Sequence, residues 1–222
     1  MVRNIGIVIM LSISCLSISW SDPDSLSFDH RYYGISGGLG VTMINVGDVV
    51  GFISSQTGTT QTAFATAGEF FGAAEIQVSE EWGLKLEYAS LVNSYNVPVS
   101  PLVYSYSYNV QMPTLILHRI ITGKGYLLKF GGGAGYHMAS FHQDNPPGYP
   151  SYSAKGIGLK LDAEGNSAFD DHLFAYIGAE IRDDILGELK DANGIALPNP
   201  SASSVKMNFI AVGIKFGLSY FF

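Results

Sequence analysis

The sequence predicts an all-β protein, an eight-stranded antiparallel up-and-down transmembrane β-barrel with short periplasmic turns and long outer loops. Three observations support this prediction. Apolar residues alternate with small or polar residues along most of the chain, short and long connections alternate, and Tyr and Phe collect near the ends of the alternating segments. Charged residues make up only 14% of the chain, against about 25% in typical soluble domains.

The N-terminal residues have the features of a secretory signal peptide. Arg3 precedes an apolar stretch from Ile5 to about Leu16, and Ser19-Trp20-Ser21 has the small-x-small form of a cleavage site. The apolar stretch is too short for a transmembrane helix. The expected organisation is a cleaved signal peptide at 1–21, a short N-terminal segment at 22–30 and the barrel domain at 31–222.

Composition limits the possible partners and cross-links. The formal net charge is −7, and no run of basic residues is longer than two. Because phosphate binding needs clustered Lys and Arg, we expect no nucleic-acid partner. The single cysteine, Cys15, lies in the expected signal peptide, so we expect no disulfide in the exported chain.

Period-two alternation predicts the first five strands. In the first strand, Tyr33, Ile35 and Leu39 alternate with Gly and Ser, and later strands follow the same rule. The predicted ranges are 31–44, 64–78, a third strand around 84–88, a fourth around 104–112 and a fifth at 126–138. In the fourth strand we expect the apolar face to point outward, namely Tyr104, Tyr106, Tyr108, Val110 and Met112.

Residues 153–194 allow two strand assignments. In one, AKGIGLKLDA is the sixth strand and 171–190 the seventh. In the other, the sixth strand is about 168–182, Asp183-Asp184 is the turn and 185–191 is the seventh strand. The second is preferred because AEIRDDILGEL repeats the pattern of IQVSEEWGLKL, in which two acidic residues separate two alternating segments. Either assignment gives eight strands, the last near 205–222.

Connections and aromatic residues favour a bilayer as the surroundings. Short turns are predicted at 79–82, 118–125 and 182–184, and long polar loops at 45–63, 93–102, 141–167 and 192–204. Transmembrane barrels show this asymmetry and have aromatic girdles at both interfaces. The candidate girdle residues are Tyr33, Tyr88, Tyr104, Tyr106, Tyr126, Tyr220 and Phe222. Hydrocarbon leaves no backbone group unpaired, so the strands must close into a barrel.

The chain ends on VGIKFGLSYFF, an alternating segment with nothing polar after it. Together with the SEEWGLKLEY hairpin at 79–88, this end resembles the small eight-stranded outer-membrane barrels of the OmpA and OmpX type, and the resemblance extends over nearly all of 31–222. It implies a location in the cell outer membrane, surrounded by its lipid. It also implies that Leu218, Tyr220 and Phe222 form the signal read by the outer-membrane assembly machinery. We expect a monomer.

Ten charged residues alternate with the apolar face and are expected to line the lumen. An eight-stranded barrel is just wide enough to be filled by side chains, and paired charges avoid the large cost of isolated buried ones. The predicted lumen network is Glu69, Glu75, Lys85, Glu87, Lys129, Glu180, Arg182, Glu188, Lys190 and Lys215. A static salt-bridge core is favoured over a narrow ion-conducting pore.

Few residues suggest catalysis or cofactor binding. FGGGAG at 130–135 lacks the Gly-Lys-Ser/Thr ending of a phosphate loop, and its glycines are expected to let strands bend and side chains cross the lumen. His137 is expected in the lumen as a polar filler. No histidines share a metal-ligand spacing, and no nucleophile elbow is present. We therefore predict no catalytic residue, metal or cofactor.

Three function classes remain open at this stage. The leading one is a non-enzymatic outer-membrane barrel with a structural or surface-interaction role through its long outer loops, where an extracellular ligand of unknown identity could bind. The second is a membrane-embedded lipid-modifying enzyme, such as a lipid A acyltransferase or deacylase. The third is a soluble lipocalin-like barrel, whose apolar face would point inward.

Overall fold

The computed structural model describes residues 33–60, 64–99, 102–144, 148, 150–199 and 204–222. The expected signal peptide at 1–21 and the segment at 22–30 lie outside these residues, and both stay predictions.

Eight strands form one closed antiparallel barrel. Each strand pairs with its neighbours in sequence, and the last pairs with the first, which confirms the predicted fold class. The strands are β1 (Tyr33–Asn45), β2 (Phe64–Ser79), β3 (Trp82–Val99), β4 (Leu102–Gly123), β5 (Tyr126–Asp144), β6 (Ser151–Ala168), β7 (Leu173–Ile185) and β8 (Phe209–Phe221). Among the described residues there is one helix, α1 (Gly47–Thr57), between β1 and β2.

The outer surface of the barrel carries a belt of apolar side chains. On β8, alternate residues from Ile210 to Leu218 are at least half exposed, while the residues between them are mostly buried. The exposed set on β8 is Ile210, Val212, Ile214, Phe216 and Leu218. This pattern is the reverse of that in a water-soluble barrel, where the apolar face fills the interior. No helix in the described part of the chain has the length and hydropathy needed to cross a membrane.

The preferred assignment of residues 153–194 is wrong. β6 runs from 151 to 168 and β7 from 173 to 185, close to the alternative assignment. The turn lies at 169–172, where Asp170 Oδ1 accepts the backbone N–H groups of His172 and Leu173 at 2.8 and 2.7 Å. These two bonds hold the pKa of Asp170 below its ordinary value, because they stabilise the charged form.

The two acidic residues that were expected to form a turn instead continue β7. Asp183 is exposed on the outer surface, whereas Asp184 is fully buried inside and hydrogen-bonds His137. Successive residues of a strand point to opposite faces. Two adjacent acidic residues are therefore compatible with a strand when a partner exists inside and water or a polar interface lies outside.

Strands β3 to β6 extend beyond the others at the long-loop end of the barrel. They contain 18 to 22 residues, against 13 in β1, β7 and β8. The predicted loops at 93–102 and 141–167 are therefore largely strand. Pairing of β3 with β4 continues to Val99 and Leu102, and the tilted rings of Tyr95 and Tyr108 lie near each other across the pair, with centroids 6.3 Å apart.

The predicted faces of β4 are reversed in its outer half. Tyr106 and Tyr108 are 1% and 2% exposed and point inward, and Tyr104 lies on the same inner face. Near the short-turn end, the outward face of the same strand carries Leu115 and Leu117, both about half exposed. Tyr104 and Tyr106 thus belong to no girdle, whereas Tyr33, Tyr88, Tyr126, Tyr220 and Phe222 are exposed on the outer surface.

Helix α1 occupies part of a segment that was predicted to be a polar loop. It buries Val49, Val50, Phe52 and Ile53 in the same apolar cluster as wall residues of the barrel. The helix ends at Thr57 and is capped by Gly58, which has φ 67° and donates its N–H to Ser54 O at 2.9 Å. Glycine adopts this left-handed conformation without steric cost.

Candidate functional site in the barrel interior

The interior of the barrel has three layers. At the short-turn end, Ile120, Leu127, Phe174 and Phe221 form a small apolar cluster. The middle layer, called the charged layer here, contains the buried Lys, Arg, Asp and Glu residues described below. At the long-loop end, α1 packs against the wall, with the rings of Phe52 and Phe141 6.4 Å apart and edge-on. Apolar side chains therefore lie on both sides of the charged layer.

Lys215, on β8, is the centre of the charged layer. Its Nζ lies 2.8 Å from Glu69 Oε1, 2.7 Å from Glu87 Oε1 and 2.8 Å from Glu180 Oε2. The three carboxylates come from β2, β3 and β7, so one ammonium group ties together strands from around the barrel. All four side chains are at least 98% buried.

Two further bases complete the coordination of these carboxylates. Arg182 contacts Glu69 at 2.6 Å and Glu180 at 3.1 Å. Lys160 contacts Glu87 at 2.6 Å and Glu180 at 2.8 Å. Each carboxylate therefore faces at least two bases, which offsets the desolvation of the buried charges.

A second group lies closer to the short-turn end. Lys85 lies 3.1 Å from Glu87 and hydrogen-bonds Glu164. His118 Nε2 lies 3.0 Å from Asp162 Oδ1 and 3.7 Å from Glu164 Oε1. Glu87 belongs to both groups, so the charged layer is one continuous network.

Lys129 joins the charged layer to the apolar cluster at the short-turn end. Its ammonium group pairs with Glu75 and lies 4.9 Å from the ring centroid of Phe221. A cation over an aromatic face is attracted by the ring quadrupole. The contact therefore connects the charged layer to the apolar cluster.

Two sets of side chains bring possible metal ligands together. The ligand atoms of Glu69, Glu87 and Glu180, and those of Glu75, His118 and Glu164, lie within 4.8 Å of one another in each set. In the first set, the Lys215 ammonium group contacts all three carboxylates. In the second, Lys129 and Lys85 pair with the two Glu residues. The lysines thus already neutralise both donor sets.

His137 links a hydroxyl group to a carboxylate. Its Nε2 lies 3.0 Å from Thr114 Oγ1, and its Nδ1 hydrogen-bonds Asp184. A Cβ atom at Gly158 would lie 2.1 Å from the imidazole ring, and one at Gly135 would lie 2.7 Å from it. Glycine at both positions gives the ring room to cross the interior. The order hydroxyl, imidazole, carboxylate is that of a hydrolase triad, but no member is more than 2% exposed.

The structure places eight of the ten predicted lumen charges inside the barrel, namely Glu69, Glu75, Lys85, Glu87, Lys129, Glu180, Arg182 and Lys215. The prediction is wrong for Glu188 and Lys190. They follow the end of β7, and their side chains are 39% and 51% exposed. Because the β6–β7 turn was predicted at 182–184, both residues were assigned to the seventh strand.

Five members of the interior network were not predicted from the sequence. They are His118, Lys160, Asp162, Glu164 and Asp184. Three of them lie on β6, which was assigned largely to a loop. The sequence does contain the period-two pattern of a strand in this region. Apolar or small residues alternate there with Gly158, Lys160, Asp162, Glu164 and Asn166.

Glu188 and Lys190 instead order the connection between β7 and β8. Glu188 accepts a hydrogen bond from Ser204 Oγ at 2.6 Å and pairs with Lys190 at 3.4 Å. The Ser204 hydroxyl and then Lys190 hold the pKa of Glu188 below its ordinary value. In the same connection, Lys206 donates its backbone N–H to Asp48 in the first turn of α1 at 3.3 Å.

The predicted assembly residues lie on the outer surface at the short-turn end. Leu218, Tyr220 and Phe222 are 51%, 40% and 68% exposed. The rings of Tyr220 and Phe222 meet edge to face at 5.0 Å. Phe221, between them, points inward and packs against Phe174 at 4.9 Å.

Solved structures with the same architecture are outer-membrane proteins. The chain matches Ail, the attachment invasion locus protein of Yersinia pestis, with a TM-score of 0.56 and 12% identity over 87% of this chain and 99% of that one. It matches a major outer membrane protein of Thermus thermophilus with a TM-score of 0.56 and 11% identity over 87% and 100%. The chain has the fold of the small eight-stranded outer-membrane β-barrels.

A third solved structure also has this fold. The outer membrane protein OprG of Pseudomonas aeruginosa aligns with a TM-score of 0.50 and 14% identity, over 86% of this chain and 95% of that one. No family model matches the sequence, and no curated protein matches it. At these identities the matches establish the fold and leave the function to be argued from the residues.

Proposed function

We propose that this chain is an integral protein of the cell outer membrane that neither catalyses a reaction nor conducts ions, and that acts by presenting its long-loop end at the cell surface. The observation that carries the proposal is the enclosed interior. The charged layer is closed by the apolar cluster at one end and by α1 with its wall contacts at the other. The surfaces that a partner can reach are the outer face of the barrel and the long-loop end.

The long-loop end is the larger of the two ends of the barrel. It consists of the extended parts of β3 to β6, of α1, and of the connection between β7 and β8, which is tied to α1 by the Lys206–Asp48 hydrogen bond. The opposite end has turns of only two to four residues. Short turns on the periplasmic side and larger outer parts are typical of outer-membrane barrels.

The buried triad does not favour an enzyme. A substrate would have to reach Thr114, yet Thr114, His137 and Asp184 are enclosed by the barrel wall. A conformational opening would be required before the hydroxyl group could attack anything. The Lys and Arg residues of the charged layer are likewise held by carboxylates, which disfavours an open ion path.

The test is a pair of measurements on the purified, reconstituted protein. In planar bilayers we expect no unitary conductance steps. Steps whose ion selectivity changes in the Lys215→Glu variant would replace the proposal by a narrow pore. Incubation with outer-membrane lipid should leave the acyl composition unchanged by mass spectrometry. Lipid conversion that is lost in Thr114→Val would replace it by an enzyme.

Assembly is part of the same proposal. Leu218, Tyr220 and Phe222 project from the short-turn end on one face of β8, where an assembly factor could pair with the strand before the barrel closes. We propose that the outer-membrane assembly machinery reads these residues and that the folded protein is a monomer in outer-membrane lipid.

A further inference from the structure

The outward face of the barrel changes chemistry along β3, β4 and β5. Towards the short-turn end it is apolar, up to Tyr88 on β3, Leu115 on β4 and Met138 on β5. Beyond these residues the outward side chains are mostly hydroxyl and amide groups. This part is called the polar wall here, and its outward residues are Ser90, Val92, Ser94, Asn96, Pro98, Val103, Ser105, Ser107, Asn109, Gln111, Ser140, His142 and Asp144.

A groove of about 490 Å³ crosses the polar wall. It begins where β2 ends its pairing with β3 at Gly68 and Val92, and its lining includes Ser94, Ser107 and His142. Small residues form the groove because their side chains leave the surface recessed. A Cβ atom at Gly68 would meet nothing closer than the Val92 side chain at 3.8 Å.

The chemistry of the groove selects against an anionic ligand. None of its lining residues is Lys, Arg, Asp or Glu, and His142 is the only histidine among them. Phosphate and sulfate groups are bound by Lys, Arg or clustered backbone N–H groups. Ser, Thr and Asn side chains instead offer paired donors and acceptors, which match the hydroxyl groups of an uncharged sugar.

Side chains around the groove are held in place by their own hydrogen bonds. Asn93 donates to Tyr108 Oη at 3.0 Å. Gln111 donates to Ser90 Oγ at 3.1 Å, and the Tyr88 hydroxyl donates to Gln111. Pre-ordered polar groups lose less conformational entropy on binding. The exposed ring of Tyr88 also provides an apolar surface beside the polar groups.

We propose that this groove binds uncharged sugar residues of the glycolipid that surrounds the barrel in the outer leaflet. The groove opens sideways from the barrel wall, immediately beyond the apolar belt, where the sugar groups of a neighbouring lipid lie when its acyl chains contact the belt. A partner approaching the cell from outside would meet the strand tips first. The proposal rests on the proposed outer-membrane location.

The test compares two glycolipids on the full-length protein in detergent micelles. One carries uncharged hexoses on its phosphorylated acyl anchor, and the other is the same anchor without the hexoses. Native mass spectrometry gives the bound fraction and the dissociation constant of each. We expect the hexose-bearing lipid to bind at least tenfold more tightly, and we expect Ser107→Trp, which fills the groove, to abolish that difference.

The matched control is Ser153→Trp, which adds the same ring to an exposed outward position on β6 outside the groove. It should keep the tenfold preference. Asn109→Ala provides a smaller change at the groove and should reduce the preference without affecting folding. Heat-modifiable mobility and vesicle insertion, measured separately, report whether each variant still folds and whether the proposed membrane location itself holds.

Three outcomes would overturn the inference. Equal binding of the two glycolipids would show that the sugars are not recognised. Equal loss of the preference in Ser153→Trp and Ser107→Trp would show that the groove is not the site. A wild-type dimer that Ser107→Trp converts to a monomer would assign the polar wall to a second copy of this chain.

Discussion

Lys215→Met should destabilise the barrel strongly, because it removes the ammonium group from the centre of the charged layer. The methionine side chain has a similar volume, so packing changes little. The substitution leaves Glu69, Glu87 and Glu180 without the contact that they share at 2.7 to 2.8 Å. Breaking a buried ion pair by removing one partner costs about 3–5 kcal/mol.

The structure places the expected loss at the lower end of that range. Each of the three carboxylates keeps a second base, either Arg182 or Lys160. We therefore expect the free energy of unfolding to fall by about 3 kcal/mol. The matched control is Leu86→Ala, at a side chain that is 58% exposed on the outer belt. Loss of its methyl groups should cost at most about 2 kcal/mol.

A second substitution separates the electrostatic cause from a general packing defect. Adding Glu69→Gln to Lys215→Met removes the carboxylate that would keep only one base, Arg182, and should restore at least half of the lost stability. The assay is reversible urea unfolding in lipid vesicles, followed by Trp82 fluorescence. A loss for Lys215→Met smaller than that for Leu86→Ala, with no recovery in the double variant, would refute the reasoning and indicate a hydrated interior.

Three further predictions concern assembly, orientation and the β7–β8 connection. Deleting Phe222 should lower the heat-modifiable, folded fraction in the outer membrane at native expression level; an unchanged fraction would contradict the assembly role. A cysteine at Thr59 should react with an impermeant reagent on intact cells and one at Glu81 should not, whereas the reverse would show an inverted topology. Because the folded-state pKa of Glu188 is lowered, its contribution is present above its unfolded pKa and is lost as the pH falls through the folded value. Amide protection at Lys190 should therefore differ between wild type and Glu188→Gln at pH 7 and converge once the pH falls below the folded-state pKa of Glu188, and equal protection throughout would contradict this.

Alternation was sufficient to predict the barrel and most of the interior charges, because a strand with different surroundings on its two faces alternates with period two. The predicted connection lengths were less accurate, since the loops predicted at 93–102 and 141–167 are largely strand. The β6–β7 region could not be assigned in this way. Asp183-Asp184 and Asp170-Asp171 are equivalent turn candidates in sequence. The choice depends on a tertiary contact, the hydrogen bond between Asp184 and His137, which no local pattern contains.

Helix α1 was missed for a related reason. GDVVGFISSQT has two glycines and several polar residues, and its N-terminus lacks a side-chain cap. Local propensity alone does not favour a helix there. Burial of Val49, Phe52 and Ile53 against the barrel wall supplies the stabilisation, as is common for short helices.

The predicted outward face of β4 was wrong because the surroundings of the strand change along its length. Within the apolar belt, hydrocarbon lies outside, so an apolar side chain gains little by turning inward, since lipid tails are as apolar as a protein core. The interior there is held by paired charges, whose separation is costly. Beyond the belt, water lies outside and the hydrophobic effect drives apolar groups inward. Tyr106 and Tyr108 then fill the interior while Ser107 and Asn109 face out. The alternation along β4 is unbroken, but its outward face is apolar in one half and polar in the other. The change occurs between Leu115 and Gln111 and marks the edge of the apolar belt.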